Sequence, residues 1–352
     1  MEIPIQSRSI DSASSPAWLH RLKNYEYWPF WFFYLPMVPV WLWHSLRTGT
    51  FSWFTATNTN IEHGGFFGES KIDILRQIPE EYRVPSIFVA ENSSIEDLKK
   101  LISNGWDFPL VAKPNVGERG FQVEVLRDFS SLLHYHQQMS EAYILQPYLL
   151  EPFEFGILYV RFPGEKQGTI SSVTMKDFMA VRGDGKSSIK LLLESDNRYR
   201  LYLAEMQGIL GENGMNEIPA EGEYRLLQPI GNHCRGTRFV NANHLRGEKL
   251  DAVFNQISNK IDGLFFGRFD LKVSSPEDLL EGKGIRIMEL NGASSEPGHI
   301  YDQSHGLIKA YRDLLWHWNA LGKIARINLK NGLKPSPVSE IIQLLKKHFH
   351  SA

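Results

Sequence analysis

Apolar and polar positions along this chain change their period several times, and each change predicts an element. Residues 94–104 set Ile95, Leu98, Leu101 and Ile102 at helical spacing among charged neighbours, and Gly105 supplies a stop. Residues 71–78 predict a shorter helix with Ser70 as its cap, and Pro79 and Pro85 then punctuate a linker into a strand at 86–89. Strands at 109–113 and 121–126, joined by a glycine-containing turn at 115–120, read as a hairpin. A helix over 130–139 and strands over 142–146 and 154–161 continue the mixed pattern, and 189–193 and 201–210 look helical. Strands return at 264–273 and 284–290, followed by a long helix over 305–321. Finally, 339–348 reads as a short amphipathic helix behind Pro335 and Pro337, with Ser339 as N-cap and an apolar side suited to docking on the body. The class is α+β, without an internal repeat.

A different pattern runs from Tyr25 to Phe54, where Trp, Tyr and Phe fill close to half of all positions. No Asp, Glu, Lys or Arg occurs from Tyr27 to Leu46, and the uncharged run is bounded by Arg21 and Lys23 before it and Arg47 after it. Its length matches a membrane span. Pro29, Pro36 and Pro39 oppose a continuous helix, however, and Trp and Tyr favour the water–lipid boundary over the hydrocarbon centre. The expectation is a broken, interfacial element lying in one membrane leaflet, in the manner of a re-entrant pair of short helices. The other placement open to it is an aromatic arm packed on its own catalytic domain or on a second subunit. Either way, this much apolar surface needs a partner. A secretory signal is not expected, because the run begins only at Tyr27 and no small-residue cleavage site follows it.

Composition narrows the classes. In 352 residues, Lys plus Arg total 38 and Asp plus Glu total 40, so no basic field is available for a nucleic-acid backbone. A single cysteine, Cys234, excludes an internal disulfide framework and a Cys-rich zinc site. The sequence divides into an aromatic, proline-rich segment (1–54), an α/β unit (55–325) and a C-terminal helix (326–352).

The chemistry concentrates between residues 265 and 298, in FFGRFDLKV followed by GIRIMELNGASSEPG. Side chains two apart on a strand share a face, so Arg268 and Asp270 point together, as do Glu289 and Asn291. If the two strands are adjacent and antiparallel, two carboxylates and an amide oxygen converge, a hard-donor set suited to Mg²⁺ or Mn²⁺. Upstream, FPLVAKPNVGERG ends an apolar strand on Lys113 and continues into a turn where Gly117 and Gly120 let backbone N–H groups approach an anion. No Gly-Lys-Ser/Thr follows, so this is not a Walker loop. His233 and Cys234 adjoin without a third ligand, while His299, Ser304 and His305 follow the second metal strand and are candidates for positioning an acceptor.

Together these residues resemble the ATP-grasp superfamily, most closely the D-alanine–D-alanine ligases around the metal strands. By that resemblance Lys71 and Lys113 are the two nucleotide lysines, and Gly117–Gly120 the loop over the phosphates. Gln146, Pro147, Tyr148 and Leu149 correspond to the adenine hinge, and Glu154 to the ribose acceptor. Arg268, Asp270, Glu289 and Asn291 match the family's Arg, Asp, Glu and Asn. A weaker similarity to cyanophycin synthetases and other carboxylate–amine ligases, through VRGDGKSS and residues 225–236, implies Lys176 near the γ-phosphate. It also implies Arg225 and Asn232 near the acyl phosphate or its acceptor. Two departures stand out. Lys71 comes too early in the chain for the full substrate-binding domain that these ligases carry ahead of it, and Gly117-Glu-Arg-Gly120 lacks a serine-rich character.

The resemblance implies an ADP-forming ligase that uses ATP and two Mg²⁺ ions to join a small-molecule carboxylate to an amine, and the aromatic segment adds the expectation of a lipid-like substrate presented at a membrane. It would work on the cytoplasmic face of a membrane, without nucleic acid. A small-molecule kinase on the same fold, which keeps phosphate in its product, and a non-catalytic nucleotide-binding membrane adaptor are the alternatives.

Overall fold

The computed structural model describes residues 16–103, 105–117, 122–231 and 235–350; Gly120, Asn232, His233 and Cys234 lie outside the described residues. The N-terminal segment forms α1 (Ala17–Lys23), α2 (Phe30–Tyr34) and α3 (Val38–Thr48). A first α/β unit follows: α4 (Lys71–Gln77), β1 (Ile87–Val89), α5 (Ile95–Ser103), β2 (Leu110–Pro114), β3 (Glu124–Leu126), α6 (Phe129–Gln138) and β4 (Tyr143–Pro147). The central part comprises β5 (Phe153–Val160), β6 (Thr169–Asp177), β7 (Ala180–Arg182), α7 (Ile189–Ser195), α8 (Leu203–Asn216), β8 (Tyr224–Leu226), β9 (Arg238–Asn241) and α9 (Glu248–Ser258). The chain ends with β10 (Phe266–Val273), α10 (Pro276–Glu281), β11 (Arg286–Asn291), α11 (Leu307–Lys330) and α12 (Val338–His350).

The strands form a four-stranded sheet of order β1-β4-β2-β3, a five-stranded sheet of order β11-β10-β5-β6-β9 and the ribbon β7-β8. Every named pairing is antiparallel. The expected hairpin is present as β2 against β3. Six elements fall outside the periodicity reading: β6, β7, β8, β9, α9 and α10. In β6, Ser171, Ser172 and Thr174 interrupt the apolar alternation yet are buried, and Ser171 bonds the Leu158 carbonyl at 3.2 Å. The long helix α11 continues to Lys330 instead of stopping at 321, and α12 starts at Val338 rather than behind a Ser339 cap. There the Pro337 carbonyl takes the Glu340 and Ile341 N–H groups at 3.0 and 3.2 Å.

Alternation gives the five-stranded sheet two unlike faces. Phe155, Ile157, Phe269, Leu271, Val273 and Ile287 point one way into an apolar core closed by α9 and α10. On the opposite face Leu158, Val160 and Phe266 lie beneath α11 together with Trp53. Farther along that second face Glu154, Lys176, Arg268, Asp270 and Lys272 replace the apolar residues, and α11 no longer covers them.

The aromatic run is broken at its prolines: Pro29 precedes α2, Pro36 sits in a single tight turn, and Pro39 occupies the first turn of α3, where a missing N–H costs little. No helix of the described residues is long and apolar enough to cross a membrane. One side of the segment packs on the body, where Tyr25, Phe33 and Met37 meet Ile300, Ala310 and Leu314. Phe33 stacks on Tyr25 and Tyr311 at centroid distances of 5.6 and 5.3 Å. The other side is bare: Trp31 is 69% exposed, Leu35 58%, Trp43 54% and Leu46 81%.

A buried ion pair pins the start of the segment. Glu26 lies 2.5 Å from Arg198, whose other nitrogens donate to the Gly236 and Thr237 carbonyls at 3.1 and 2.7 Å. Replacing Arg198 by Met leaves a buried carboxylate without its cation, a change that costs about 3–5 kcal/mol in comparable pairs. We expect the urea midpoint of Arg198→Met to fall accordingly, and an unchanged midpoint would show that this contact does not anchor the segment.

Candidate active site

The charged stretch of the five-stranded sheet faces the four-stranded sheet across a cavity of ≈ 730 Å³, within the usual range for a small-molecule site. Register builds its floor. β10 and β11 are neighbours with Asp270 opposite Glu289 and Arg268 opposite Asn291, and a bulge follows Asp270. On the other side of β10, Asp270 lies opposite Gly156 and Lys272 opposite Glu154, which in turn faces Lys176 on β6. Gly156 leaves the gap through which these groups meet, since a Cβ there would stand 3.3 Å from Arg268 Cδ and 3.4 Å from Asp270 Oδ1.

Asp270 is held from both sides. Arg268 donates to Oδ1 from Nε at 2.7 Å and to Oδ2 from Nη2 at 3.1 Å, and Lys176 Nζ reaches Oδ2 at 3.4 Å while bonding Glu154 at 2.7 Å. Burial by itself would raise the Asp270 pKa, but the two cations outweigh it and lower the value to about 2. Burial likewise opposes the charge on Lys176, and Asp270 and Glu154 overcome it, raising that pKa.

The facing wall brings its own cations. Lys113, at the end of β2, sends Nζ to the Met288 carbonyl at 2.9 Å and so bridges the two sheets. Lys71 opens α4 behind the Ser70 cap, bonds the Gly117 carbonyl and approaches Glu289 at 3.9 Å. Burial drops the Lys113 pKa to about 8 against the pull of Glu289, and neighbouring Lys71 lowers it further. The ionic part of the wall thus gathers Lys71, Lys113, Lys176, Arg268 and Lys272 with Glu154, Asp270, Glu289 and Glu296, and the two lysines Lys71 and Lys113 on the facing wall suit an anionic ligand. Asp270, Glu289 and Asn291 end on the same floor as hard oxygen donors, and that donor set fits Mg²⁺ or Mn²⁺ accompanied by phosphate oxygens.

Beside these groups Val111, Val125, Pro147, Tyr148, Leu149 and Met288 form an apolar slot. The residues expected at the hinge, Gln146, Pro147, Tyr148 and Leu149, line this cavity, and several of their polar groups already have partners within the protein. Gln146 commits its amide to Ser86 at 2.9 Å and to the Met288 carbonyl at 3.4 Å. The Tyr148 N–H is bonded to Pro109 and the Leu149 carbonyl to Lys272. Glu154, expected at a ribose, is paired with Lys176 and packed under Gly231, where a Cβ would meet its carboxylate at 2.5 Å.

Arg225 is not in this cavity. It is exposed on β8 and paired with Glu217 at 2.8 Å and Glu223 at 3.6 Å, because the β7-β8 ribbon carries it into solvent. Lys272 and Glu296 are among the cavity residues that escaped the sequence reading. Lys272 follows Asp270 by the same two-residue step that linked Arg268 to Asp270, so that signal was available. Glu296 receives hydroxyls from Tyr34 and Tyr301, the latter at 3.1 Å, and no local pattern announces it.

The rest of the cavity is aromatic, lined by Trp28, Phe33, Tyr34, Phe66, Tyr301 and Trp318 among others. Phe66 and Phe67 reach it from the glycine loop at 61–68, which lies backbone against backbone on the turn after β11. Gly65 has φ +77, and a Cβ on it would stand 2.6 Å from Gly292 Cα. The Ala293 and Ser294 N–H groups donate to the Gly64 and Gly65 carbonyls at 3.0 Å each.

No protein-family model matches this sequence, and no curated protein matches it. Among solved structures the chain is similar to a bifunctional glutathione synthetase from Pasteurella multocida, at 16% identity over 67% of this chain and 34% of that one, with TM-score 0.37. It is similar to a D-alanine–D-alanine ligase from Bacillus anthracis, at 16% identity over 74% of this chain and 65% of that one, with TM-score 0.38. The D-cycloserine synthetase DcsG shares 14% identity over 70% of this chain and 68% of that one, with TM-score 0.38. The chain therefore covers under two thirds of the length of the first two, and its chemistry has to be read from its own residues.

The folded protein binds the Lys113 proton less tightly than the unfolded chain does. The charged lysine therefore weighs against folding below about pH 8, and that penalty fades between about 8 and the usual 10.5. We expect Lys113→Met to be more stable than the parent at neutral pH by on the order of 3 kcal/mol, less the lost bond to Met288. Urea midpoints at rising pH should show the gap closing toward pH 10, and a gap that stays constant would refute the buried-cation assignment.

Proposed function

We propose that this protein is an ATP-grasp carboxylate–amine ligase that forms an amide through an acyl phosphate and releases ADP and phosphate. The observation that carries the reading is the opposition of Asp270 and Glu289, in register on neighbouring strands, to Lys71 and Lys113 across one cavity. In this reading the apolar slot takes the base, and Lys71 and Lys113 offset the charge of the triphosphate. A polyanion beside Lys113 restores the proton that burial loosens. Asp270, Glu289 and Asn291 would hold two Mg²⁺ ions, or Mn²⁺, whose contribution is to neutralise the β- and γ-phosphate oxygens.

A carboxylate oxygen of the substrate attacks the γ-phosphorus, the bond from that phosphorus to the β-bridging oxygen breaks, and ADP leaves. The amine nitrogen then adds to the acyl carbon. Arg268 stabilises the oxyanion, phosphate departs with the C–O bonding pair, and the nitrogen sheds its surplus proton to Glu296. The apolar walls exclude water that would hydrolyse the acyl phosphate.

The aromatic half of the cavity supports an amphiphilic substrate in this reading. An amphiphilic carboxylate sets its apolar part among Trp28, Phe33 and Trp318 and its head beside Arg268. The same segment turns Trp31, Trp43 and Leu46 outward, so residues 1–54 serve as an interfacial anchor on the cytoplasmic face of a membrane, next to the ligase unit, which runs on through α11 to Lys330 and is followed by α12.

With ATP, Mg²⁺, a long-chain or aryl carboxylate and a panel of amines, we expect ADP and phosphate in equal amounts and a product one water lighter than its parts. Asp270→Asn and Glu289→Gln should each slow turnover by roughly 10²–10³. Release of AMP, phosphate retained in the product or unaltered turnover in both variants would overturn the reading. For the anchor, the full chain should float with phosphatidylcholine–phosphatidylglycerol vesicles. A variant with Trp31, Trp43 and Leu46 changed to Ser should stay at the bottom of the gradient, and equal flotation of the two would exclude this face as the anchor.

A further inference from the structure

Beyond the nucleotide cavity, a second cluster is built from the segment after β11, the first turns of α11 and strand β6. We propose that His299, His305 and Asp313 form a binding site for one divalent transition-metal cation of the Zn²⁺ type, which ties the turn carrying Glu296 and Tyr301 to α11. His299 and His305 direct Nε2 at the same oxygen of Asp313, at 3.1 and 2.8 Å. Their rings stand at 89° with centroids 4.9 Å apart, so the two nitrogens arrive from different directions. One ligand atom from each of the three residues lies within 4.8 Å of the others, and among the described residues this is the one such group of three His, Cys, Asp or Glu side chains.

The chemistry of the set is selective. Two imidazole nitrogens and one carboxylate suit zinc and its neighbours, whereas Mg²⁺ and Ca²⁺ prefer oxygen alone. The outer nitrogen of His299 has a partner of the kind that orients a metal-bound histidine: Nδ1 lies 2.7 Å from the Ser172 hydroxyl, which can accept its N–H. His305 Nδ1 faces the Asn241 amide nitrogen at 3.3 Å. His299 is buried, at 2% exposure, while the side chains of His305 and Asp313 are 10% and 23% exposed, which leaves the fourth position to water. The site shares no residue with the cavity wall, and its three ligands are all drawn from the stretch between His299 and Asp313.

The test is a titration of the full-length, metal-stripped protein with Zn²⁺, and separately with Co²⁺, in excess Mg²⁺ to occupy the nucleotide site. One equivalent should bind, with a visible Co²⁺ d–d spectrum and a rise in thermal midpoint. His305→Ala and Asp313→Asn should each weaken Zn²⁺ by roughly a hundredfold or more, and Ser172→Ala by roughly tenfold. His305→Cys should retain the ion and add a thiolate-to-Co²⁺ charge-transfer band, a signature that a purely hydrogen-bonded cluster cannot produce. Absence of saturable binding, or binding unchanged in both His305→Ala and Asp313→Asn, would overturn the proposal, whatever the outcome of the ligase assays.

Discussion

Asp270 is almost wholly removed from water, and a carboxylate in that position stays ionised because Arg268 and Lys176 stand against it. Their charges must in turn be met, which is why Glu154 is drawn in beside Lys176, where Gly231 leaves room that a side chain would fill and Gly156 keeps the packing against Arg268 and Asp270 close. Charges cannot be removed from such a lattice one at a time without leaving another unpaired at a cost of several kcal/mol. The lattice also does what hydrophobic burial cannot: it fixes the direction of each functional group before a ligand arrives. One face of the central sheet is therefore given over to electrostatics, and stability is left to the opposite face and to the stretch beneath α11.

The aromatic segment resolves a similar conflict. Its inner side closes the far end of the cavity with Tyr25, Phe33 and Tyr34, and its outer side leaves Trp31 and Leu46 in solvent. Burial against α11 accounts for the order of the segment, because α2 and α3 are too short to be stable helices by themselves. Glu296 is the joint between the two systems, held by tyrosines from the segment and from the turn after β11, next to Ser295 and close to Arg268. A single chain thus uses its N-terminal segment both to shape the pocket and to present a surface suited to an apolar partner.

Local pattern alone determined a good deal. The strand pair 264–273 and 284–290, the hairpin ending on Lys113 and the cap of α4 could all be read from period and turn chemistry, and so could the sharing of a face by Arg268 with Asp270 and by Glu289 with Asn291. These properties depend on the two-residue pleat and the 3.6-residue turn, which every chain carries within itself. What tertiary structure decided were the meetings between distant segments. It brought Lys113 onto the Met288 carbonyl and tied off the Gln146 amide and the Tyr148 N–H that a hinge would offer. It sent Arg225 out into solvent, and it buried β6, whose serines conceal its strand character until Leu158 and His299 supply their hydrogen bonds. It also chose which side of the aromatic run would face the body. Sequence spacing sets the direction of a side chain relative to its neighbours, but the partner it reaches across the fold depends on packing that no local period encodes.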